Sequence, residues 1–435
     1  MLYIHNETLL DYLRTSYRRA EIKRLYDFLL QSRTFRFRHL DNGLFPASSS
    51  ANDDDASGYQ NAWVRDNVQI AYAHFFWGDR ATAARNTLSL MSFFHSQRLR
   101  MQQVIESPCL AADPMKRPHI RFDALKMKEI PQKWPHAQND ALGYFMWFFS
   151  KMAQEGVVGC DESAIQTLVD LVRYLNAIEY WQDQDSGHWE ETRKVSASSI
   201  GTVVAGLQEF YTLCRLHNFF DLCFFKKFSI DEGYVINLIQ KGQETLQRIL
   251  PYECLEPDDT NTRRYDAALL FLIYPLNIVS APMASTILKD VSANLEGHIG
   301  IRRYPGDSYW CADYRDLFSP GDRSNDFSEK IQSRDTHLKP GEEAQWCIFD
   351  PIISCIYGMR VLENGKNEDR RLQAHYLNRS LGQLTKETDK VTALQCPEAY
   401  FIEHGSYHPN DHVPLQWTQA NLRMALHWLE LTAEA

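Results

Sequence analysis

The chain has 435 residues, a formal net charge of −10, 44% apolar and 12% aromatic residues. The acidic balance argues against a nucleic-acid partner, which calls for a basic face, and the apolar share supplies a substantial core. No apolar run reaches the ~18 residues of a membrane span, no charged-then-apolar leader opens the sequence, and nine Cys without a Cys-x-x-Cys pair give neither a zinc pattern nor a disulfide framework.

These features predict a soluble cytoplasmic protein with buried thiols, no membrane and no metal. Residues 8–31 form an amphipathic opening with Leu9, Leu13, Ile22, Leu25 and Leu29, so 1–35 is expected as a helical segment packed on the rest. Alternation over 34–40 predicts a short strand. Residues 43–58 read as a loop, whose Asp53–Asp55 run lacks a calcium-binding pattern. A helix pair over 62–77 and 80–98 splits at Gly78. A long polar connection over 106–136 precedes a helix over 138–152. Asp161 is placed to cap a helix with Ile165, Leu168, Val169, Val172 and Leu175 on one face. Further helices are predicted over 196–216, 232–249, 265–273 and 282–296, the last with Pro282 in its first turn and Gly297 as its stop. The final three fall over 342–361, 367–385 and 415–432, with Pro351 expected to kink or break the first. A long loop occupies 303–340. The result is an all-α chain read as one domain over 1–435. About a dozen helices joined in pairs can close into a ring or run on as an open solenoid, and periodicity does not choose.

Five polar stretches lie beside aromatics. In Trp63-Val-Arg-Asp66, adjacent Arg65 and Asp66 form a fork suited to vicinal sugar hydroxyls; a helix-start salt bridge is the plainer reading of the residues alone. In Trp134-Pro-His-Ala-Gln-Asn-Asp140, Trp134 can floor a pocket while Gln138 and Asp140 reach hydroxyls, or the cluster is an ordinary helix cap. In Trp189-Glu190-Glu191, an apolar surround and a second charge suit Glu190 to stay protonated as a proton donor; solvated acids at a helix start are the plainer reading. Glu398, in Cys396-Pro-Glu-Ala-Tyr-Phe401, sits among apolar residues ahead of Trp417. A buried unpaired carboxylate calls for a reason, and activating a water is one. Arg303, in Ile301-Arg-Arg-Tyr-Pro-Gly-Asp-Ser-Tyr309, can clamp hydroxyls, or the stretch is a surface turn at Pro305-Gly306. His404, His408 and His412 recur at four-residue spacing, but Gly405, Pro409 and Asn410 exclude the helix that would align them as ligands.

Taken in order, these stretches resemble glycoside hydrolase family 15, the glucoamylases. They are closer still to the glucoamylase-like N-terminal domain of the phosphorylase kinase α and β regulatory subunits. Gly43-Leu-Phe-Pro-Ala47, Ala62-Trp-Val-Arg-Asp-Asn67, Trp134, Gln138-Asn-Asp140, Trp189-Glu190, Ala197-Ser-Ser-Ile-Gly201, Asp266-Ala-Ala-Leu-Leu270, Arg303-Tyr-Pro-Gly-Asp307, Cys396 to Phe401 and Leu415-Gln-Trp417 carry the resemblance. It implies an (α/α)6 barrel, a six-hairpin toroid whose long loops form a pocket at one end. It also implies inverting, exo-acting hydrolysis of α-glucosidic bonds from the non-reducing end, releasing β-glucose without a cofactor. By motif position Glu190 is the general acid and Glu398 the general base. Arg65, Asp66 and Arg303 hold the terminal glucose, with Trp134 near it. Trp63, Gln138, Asp140, Trp189, Glu191 and Trp417 complete the expected substrate-binding set. The lean towards the kinase subunits carries a second reading, a non-catalytic glucan-binding or regulatory domain. A helical-repeat scaffold is a third.

Overall fold

The computed structural model describes residues 2–49, 57–255, 262–389 and 391–433. Among them, twelve helices form the frame: α1 (Arg19–Gln31), α2 (Val64–Phe76), α3 (Arg80–Ser96), α4 (Asn139–Gln154), α5 (Glu162–Ala177), α6 (Ala197–Leu216), α7 (Glu232–Ile249), α8 (Leu270–Ile273), α9 (Ala281–Asn294), α10 (Phe349–Asn364), α11 (Asn367–Gly382) and α12 (Gln416–Thr432). The ring closes. Helices α2, α4, α6, α8, α10 and α12 each touch the next, and α12 returns to α2. Outside them, α3 lies on α2, α7 on α6, α9 on α8, α11 on α10 and α1 on α12, while α5 leans on α3 and on the helix Arg98–Glu106. This is an (α/α)6 toroid with one inner member, α8, shortened to a single turn after the 3-10 turn Ala267–Leu269.

The two helix classes explain why the sequence marked some more sharply than others. Outer α7 buries Val235, Leu238, Ile239, Gly242, Leu246 and Ile249, one stripe at three-to-four-residue spacing. Inner α4 is buried from Asn139 to Ser150 without a break, because it is enclosed on every side. Its neighbour α6 comes so close that a Cβ on Gly143 would stand 2.6 Å from the Thr202 carbonyl carbon. A Cβ on Gly206 would stand 2.8 Å from the Gly143 oxygen. The absent side chains let the two backbones touch, which fixes the relative height of the two helix starts. Asp161 accepts from Ala164 N at 2.8 Å, the cap expected for α5.

Several local expectations are corrected. Residues 34–40 form no strand: 34–35 belong to the turn that follows α1, and 36–40 carry no regular structure. Side-chain amides of α12 hold them instead: Gln416 bonds both the amide and the carbonyl of Arg38, and Gln419 bonds the Thr34 carbonyl. Pro351 neither kinks nor breaks α10; it sits in the first turn, where its missing N–H has no helical partner to lose. Gly297 does not stop α9, which ends at Asn294. Gly297 instead donates to the Gly300 carbonyl in the turn beyond. The connections over 106–136 and 303–340 carry structure of their own, including β2 (Arg121–Asp123), β3 (Lys128–Glu129) and the one-turn helices Tyr314–Leu317 and Ile331–Asp335. Strand β1 (Ala62–Trp63) pairs with β2 and β2 with β3. A second sheet joins β4 (Gln345–Trp346), β5 (Ala399–Glu403) and β6 (Ser406–Pro409). The Asp53–Asp55 run lies outside the described residues. Among the described residues, no helix is long and apolar enough to cross a membrane.

Candidate active site

The inner helices point their N-termini at a common end of the ring, and the residues that precede or open them converge there. Trp63 and Asp66 flank the start of α2, Gln138 caps α4, the Glu190 turn precedes α6, Trp346 precedes α10 and Trp417 opens α12. Between them lies a pocket of ≈ 850 Å³, counting its open mouth. Trp63, Arg65, Asp66, Trp134, Trp189, Glu190, Arg303, Glu398 and Trp417 all line it.

Glu190 ends the 3-10 turn Gly187–Trp189 in a left-handed conformation, φ 58° and ψ 42°, which places its side chain apart from that of its neighbour Glu191. Its Oε1 accepts from Trp63 Nε1 at 3.0 Å, Gln138 Nε2 at 3.1 Å and Trp134 Nε1 at 3.4 Å, with Arg65 Nη2 at 3.8 Å. All four approach one oxygen, which leaves Oε2 without a donor among the described residues. Arg65 is held in turn by Asp140 at 2.6 Å and Gln138 at 3.1 Å.

Glu398 is 6% exposed. Tyr59 donates to its Oε1 at 3.0 Å and Asn410 donates to its Oε2. Burial pushes its carboxyl up to about 7, against the downward pull of the Asn410 and Tyr59 bonds and of Arg303. Tyr59 also packs 5.5 Å from Trp63, ring centre to ring centre. Two touching aromatics therefore each grip one of the two carboxylates. Asp66 is also pushed up to about 7 by burial, with Arg65 opposing and Glu190 adding to the rise. On the far wall, Arg303 forms a fork on Asp307 at 2.6 and 2.7 Å. Its guanidinium lies over Trp346 and Tyr309, at 4.7 and 5.1 Å from the ring centres, and its Nη1 makes no hydrogen bond among the described residues.

Three expected substrate contacts are placed differently. Gln138, Asp140 and Glu191 are 1%, 0% and 2% exposed and stand behind the pocket wall instead of lining it. Gln138 and Asp140 brace Arg65 and Glu190. Glu191 accepts from Arg263 at 3.1 Å and from the Tyr304 hydroxyl, with Arg303 and Arg334 at 3.8 and 3.9 Å. Burial pushes Glu191 upward, but Arg263, Lys194, Arg303 and Arg334 outweigh it and hold the carboxyl at about 2. It is the shared counterion of a cationic cluster.

The sequence reading missed Tyr59, Asn410, Tyr309, Trp346, His188, Arg121 and Arg334. Tyr309 ends a stretch already singled out, and Asn410 lies between the histidines that were set aside. His188 lines the pocket against Tyr144 at 3.1 Å, and burial lowers it to about 4, which makes it neutral. Arg121 has no sequence signal. The β1–β2 register sets it opposite Trp63, and its guanidinium lies 4.9 Å from the Trp63 ring centre and 3.9 Å from that of Trp134. It thus braces both indoles that donate to Glu190. His404 and His408 lie on the β5–β6 hairpin and its turn, not on a helix.

A family model described as "Glycosyl hydrolases family 15" matches residues 29–310. Over 205 residues the chain is 26% identical to the uncharacterized lipoprotein YgeQ of Escherichia coli (strain K12), covering 42% of this chain and 78% of that protein. Over 291 residues it is 27% identical to the probable phosphorylase b kinase regulatory subunit alpha of Caenorhabditis elegans, covering 60% of this chain and 22% of the subunit. Among solved structures, a wild-type glycosidase superposes with a TM-score of 0.67 at 15% identity, covering 95% of this chain and 98% of that one. The glucoamylase from Saccharomycopsis fibuligera gives 0.60 at 12% identity, covering 97% of each.

Proposed function

Because the chain belongs to the glycosyl hydrolases family 15, we propose that it is an inverting, exo-acting hydrolase of α-glucosidic bonds that releases β-glucose from the non-reducing end of soluble α-glucosides. One observation carries this reading: Glu190 and Glu398 line the same pocket, each held by its own set of donors. In this mechanism Glu190 gives the Oε2 proton to the glycosidic oxygen. The Trp63, Trp134, Gln138 and Arg65 donors then stabilise the carboxylate it leaves behind. Glu398, with one donor on each oxygen, keeps lone pairs free to take a proton from the attacking water. Its value of about 7 suits a base near neutral pH. Asp66, whose side chain bonds no other residue among those described, offers a carboxylate acceptor to sugar hydroxyls, and Arg65 and Arg303 offer donors. An inverting outcome requires room for the water between the two carboxyls.

A proton-NMR time course with a panel of α-glucosides tests this directly, since it reports turnover, linkage and the first-formed anomer together. Glu190→Gln and Glu398→Gln should each lose about 10²–10⁴-fold in rate; wild-type turnover in either would sink the assignment. The 27% identity to a kinase regulatory subunit favours a second reading, binding of an α-glucan without turnover. Calorimetric binding with no glucose release would select it. All nine cysteines are unpaired, which supports a reducing cytosol, while the likeness to a named lipoprotein supports an envelope location. Fractionation of cells producing the full-length protein decides between them.

A further inference from the structure

The long connection after Arg303 does more than wall the pocket. Ser324, Asn325, Asp326 and Phe327 all line it, and the segment that carries them is fastened on four sides. Arg323 Nη1 donates to Asp411 at 2.7 Å, next to Asn410, which holds Glu398. Ser324 Oγ donates to the Ser57 carbonyl at 3.0 Å, two residues before Tyr59. Thr192 Oγ1 donates to the Ser328 carbonyl at 3.1 Å, two residues after Glu190. Lys133, next to Trp134, pairs with Glu329. Each tether thus ends within two residues of a different part of the pocket wall. At its far end Arg334 returns to the wall, bonding Ser308 Oγ at 2.9 Å, with its guanidinium 5.4 Å from the Phe327 ring centre. A segment tied to the Glu398, Tyr59, Glu190 and Trp134 sides together crosses the mouth of the pocket.

In exo-hydrolysis the terminal sugar sits deepest and the remainder of the substrate leaves through the mouth. A strap across that exit leaves room for one small group and obstructs a chain. We propose that residues 319–335 form a specificity strap that restricts the site to short α-glucosides, a terminal glucose carrying one further sugar or a small aglycone, in preference to the ends of long α-glucans. This rests on the hydrolase reading above and names the substrate class of that site. Phe327 supplies an apolar face for the ring of the second unit, as aromatic faces do in small-molecule sites. The ties that hold the strap are polar and sit at its edges, so they can be cut without touching the residues assigned to catalysis.

The test compares kcat/KM for maltose and maltoheptaose in the wild type, in Glu329→Ala and in Arg323→Ala/Glu329→Ala. The Lys133–Glu329 pair is exposed on both sides, at 57% each, so the single variant is expected to fold normally. In the wild type the two-unit substrate should win by at least about tenfold, within the range a shaped pocket provides. Cutting the tethers should move the ratio towards the longer substrate, further in the double variant, with maltose turnover within about twofold of wild type. Equal efficiency on both substrates in the wild type, or an unchanged ratio in both variants, would overturn the strap. Calorimetric binding of the same two ligands to Glu190→Gln separates the two claims. If no α-glucoside is hydrolysed but maltose still binds more tightly than maltoheptaose, the hydrolase reading falls and the strap stands. If maltoheptaose binds as well as maltose, the strap falls whatever the turnover.

Discussion

Tyr59 gives the sharpest test of how the proposed base is tuned. Its hydroxyl donates to Glu398 Oε1 at 3.0 Å, and this bond favours the ionised carboxylate. Tyr59→Phe removes the bond and leaves the ring in place. A hydrogen bond to a charged group contributes about 1.5–3 kcal/mol, and each pKa unit corresponds to about 1.4 kcal/mol. Glu398 should therefore rise by about one to two units from its value of about 7. Because the base must be ionised to act, the wild-type kcat/KM should climb with pH through about 7, and in Tyr59→Phe that limb should lie about one to two units higher. At pH 6 the variant should be about 10–100-fold slower than wild type, with the gap closing well above the limb. The assay is a pH series of kcat/KM, paired with a carbon-13 NMR titration of labelled glutamate carboxyls that reads the ionisation without turnover. A wild-type rate that falls as pH rises through 7, or a limb that stays put or moves to lower pH in Tyr59→Phe, would refute the reasoning.

The same burial has a stability cost with a definite sign. Glu398 is raised from 4.5 to about 7 in the folded state, so the cost is present above pH 7 and is relieved as pH falls towards 4.5; Glu398→Gln should raise stability to denaturant at pH 8 by up to about 3 kcal/mol while abolishing hydrolysis. Glu191 behaves oppositely. Held well below the usual carboxylate range by Arg263, Lys194, Arg303 and Arg334, it contributes stability that is present above pH 4.5 and lost as pH falls through its lowered value, and Glu191→Ala, which strands the surrounding cations, should cost about 3–5 kcal/mol in a urea titration at pH 7. Trp63→Phe deletes the 3.0 Å donor to Glu190 and should lower kcat by about 10–100-fold with less effect on KM; an unchanged kcat removes that indole from the mechanism. Gly143→Ala drives a Cβ to 2.6 Å from the Thr202 carbonyl carbon and should cost about 1–3 kcal/mol by thermal melt.

Helix positions were readable where a helix advertises one buried stripe or a cap. The expected 232–249 helix is Glu232–Ile249 in the structure, and the Asp161 cap is made. Ring closure was not readable from periodicity, because inner α4 is buried all round and its apolar residues name no partner; only the family resemblance implied it. The chemistry followed a similar divide. Glu190 and Glu398 stood out as acids among aromatics, and both reach the pocket. The fate of Glu191 did not show, since Arg263, Tyr304 and Arg334 meet it only after the chain has folded back more than seventy residues. Arg121 is invisible for the same reason: only the register of two short strands brings it to Trp63. The alternation over 34–40 suggested a strand that does not form, because the groups that hold this segment are side-chain amides on α12.

That last docking has a consequence for how the molecule is made. Helix α12 is the last of the twelve to be synthesised, yet it seats between α10 and α2, carries α1 on its outer side and pins residues 34–40. It also brings Trp417 to the pocket. During translation the ring therefore stays an open arc, its inner faces uncovered, until α12 has left the ribosome. Contacts across nearly four hundred residues then form at once, the kind of long-range closure that slows folding and exposes nascent chains to aggregation. The pocket is completed by the same event, so a nascent chain gains the full pocket wall only when translation has carried α12 into place.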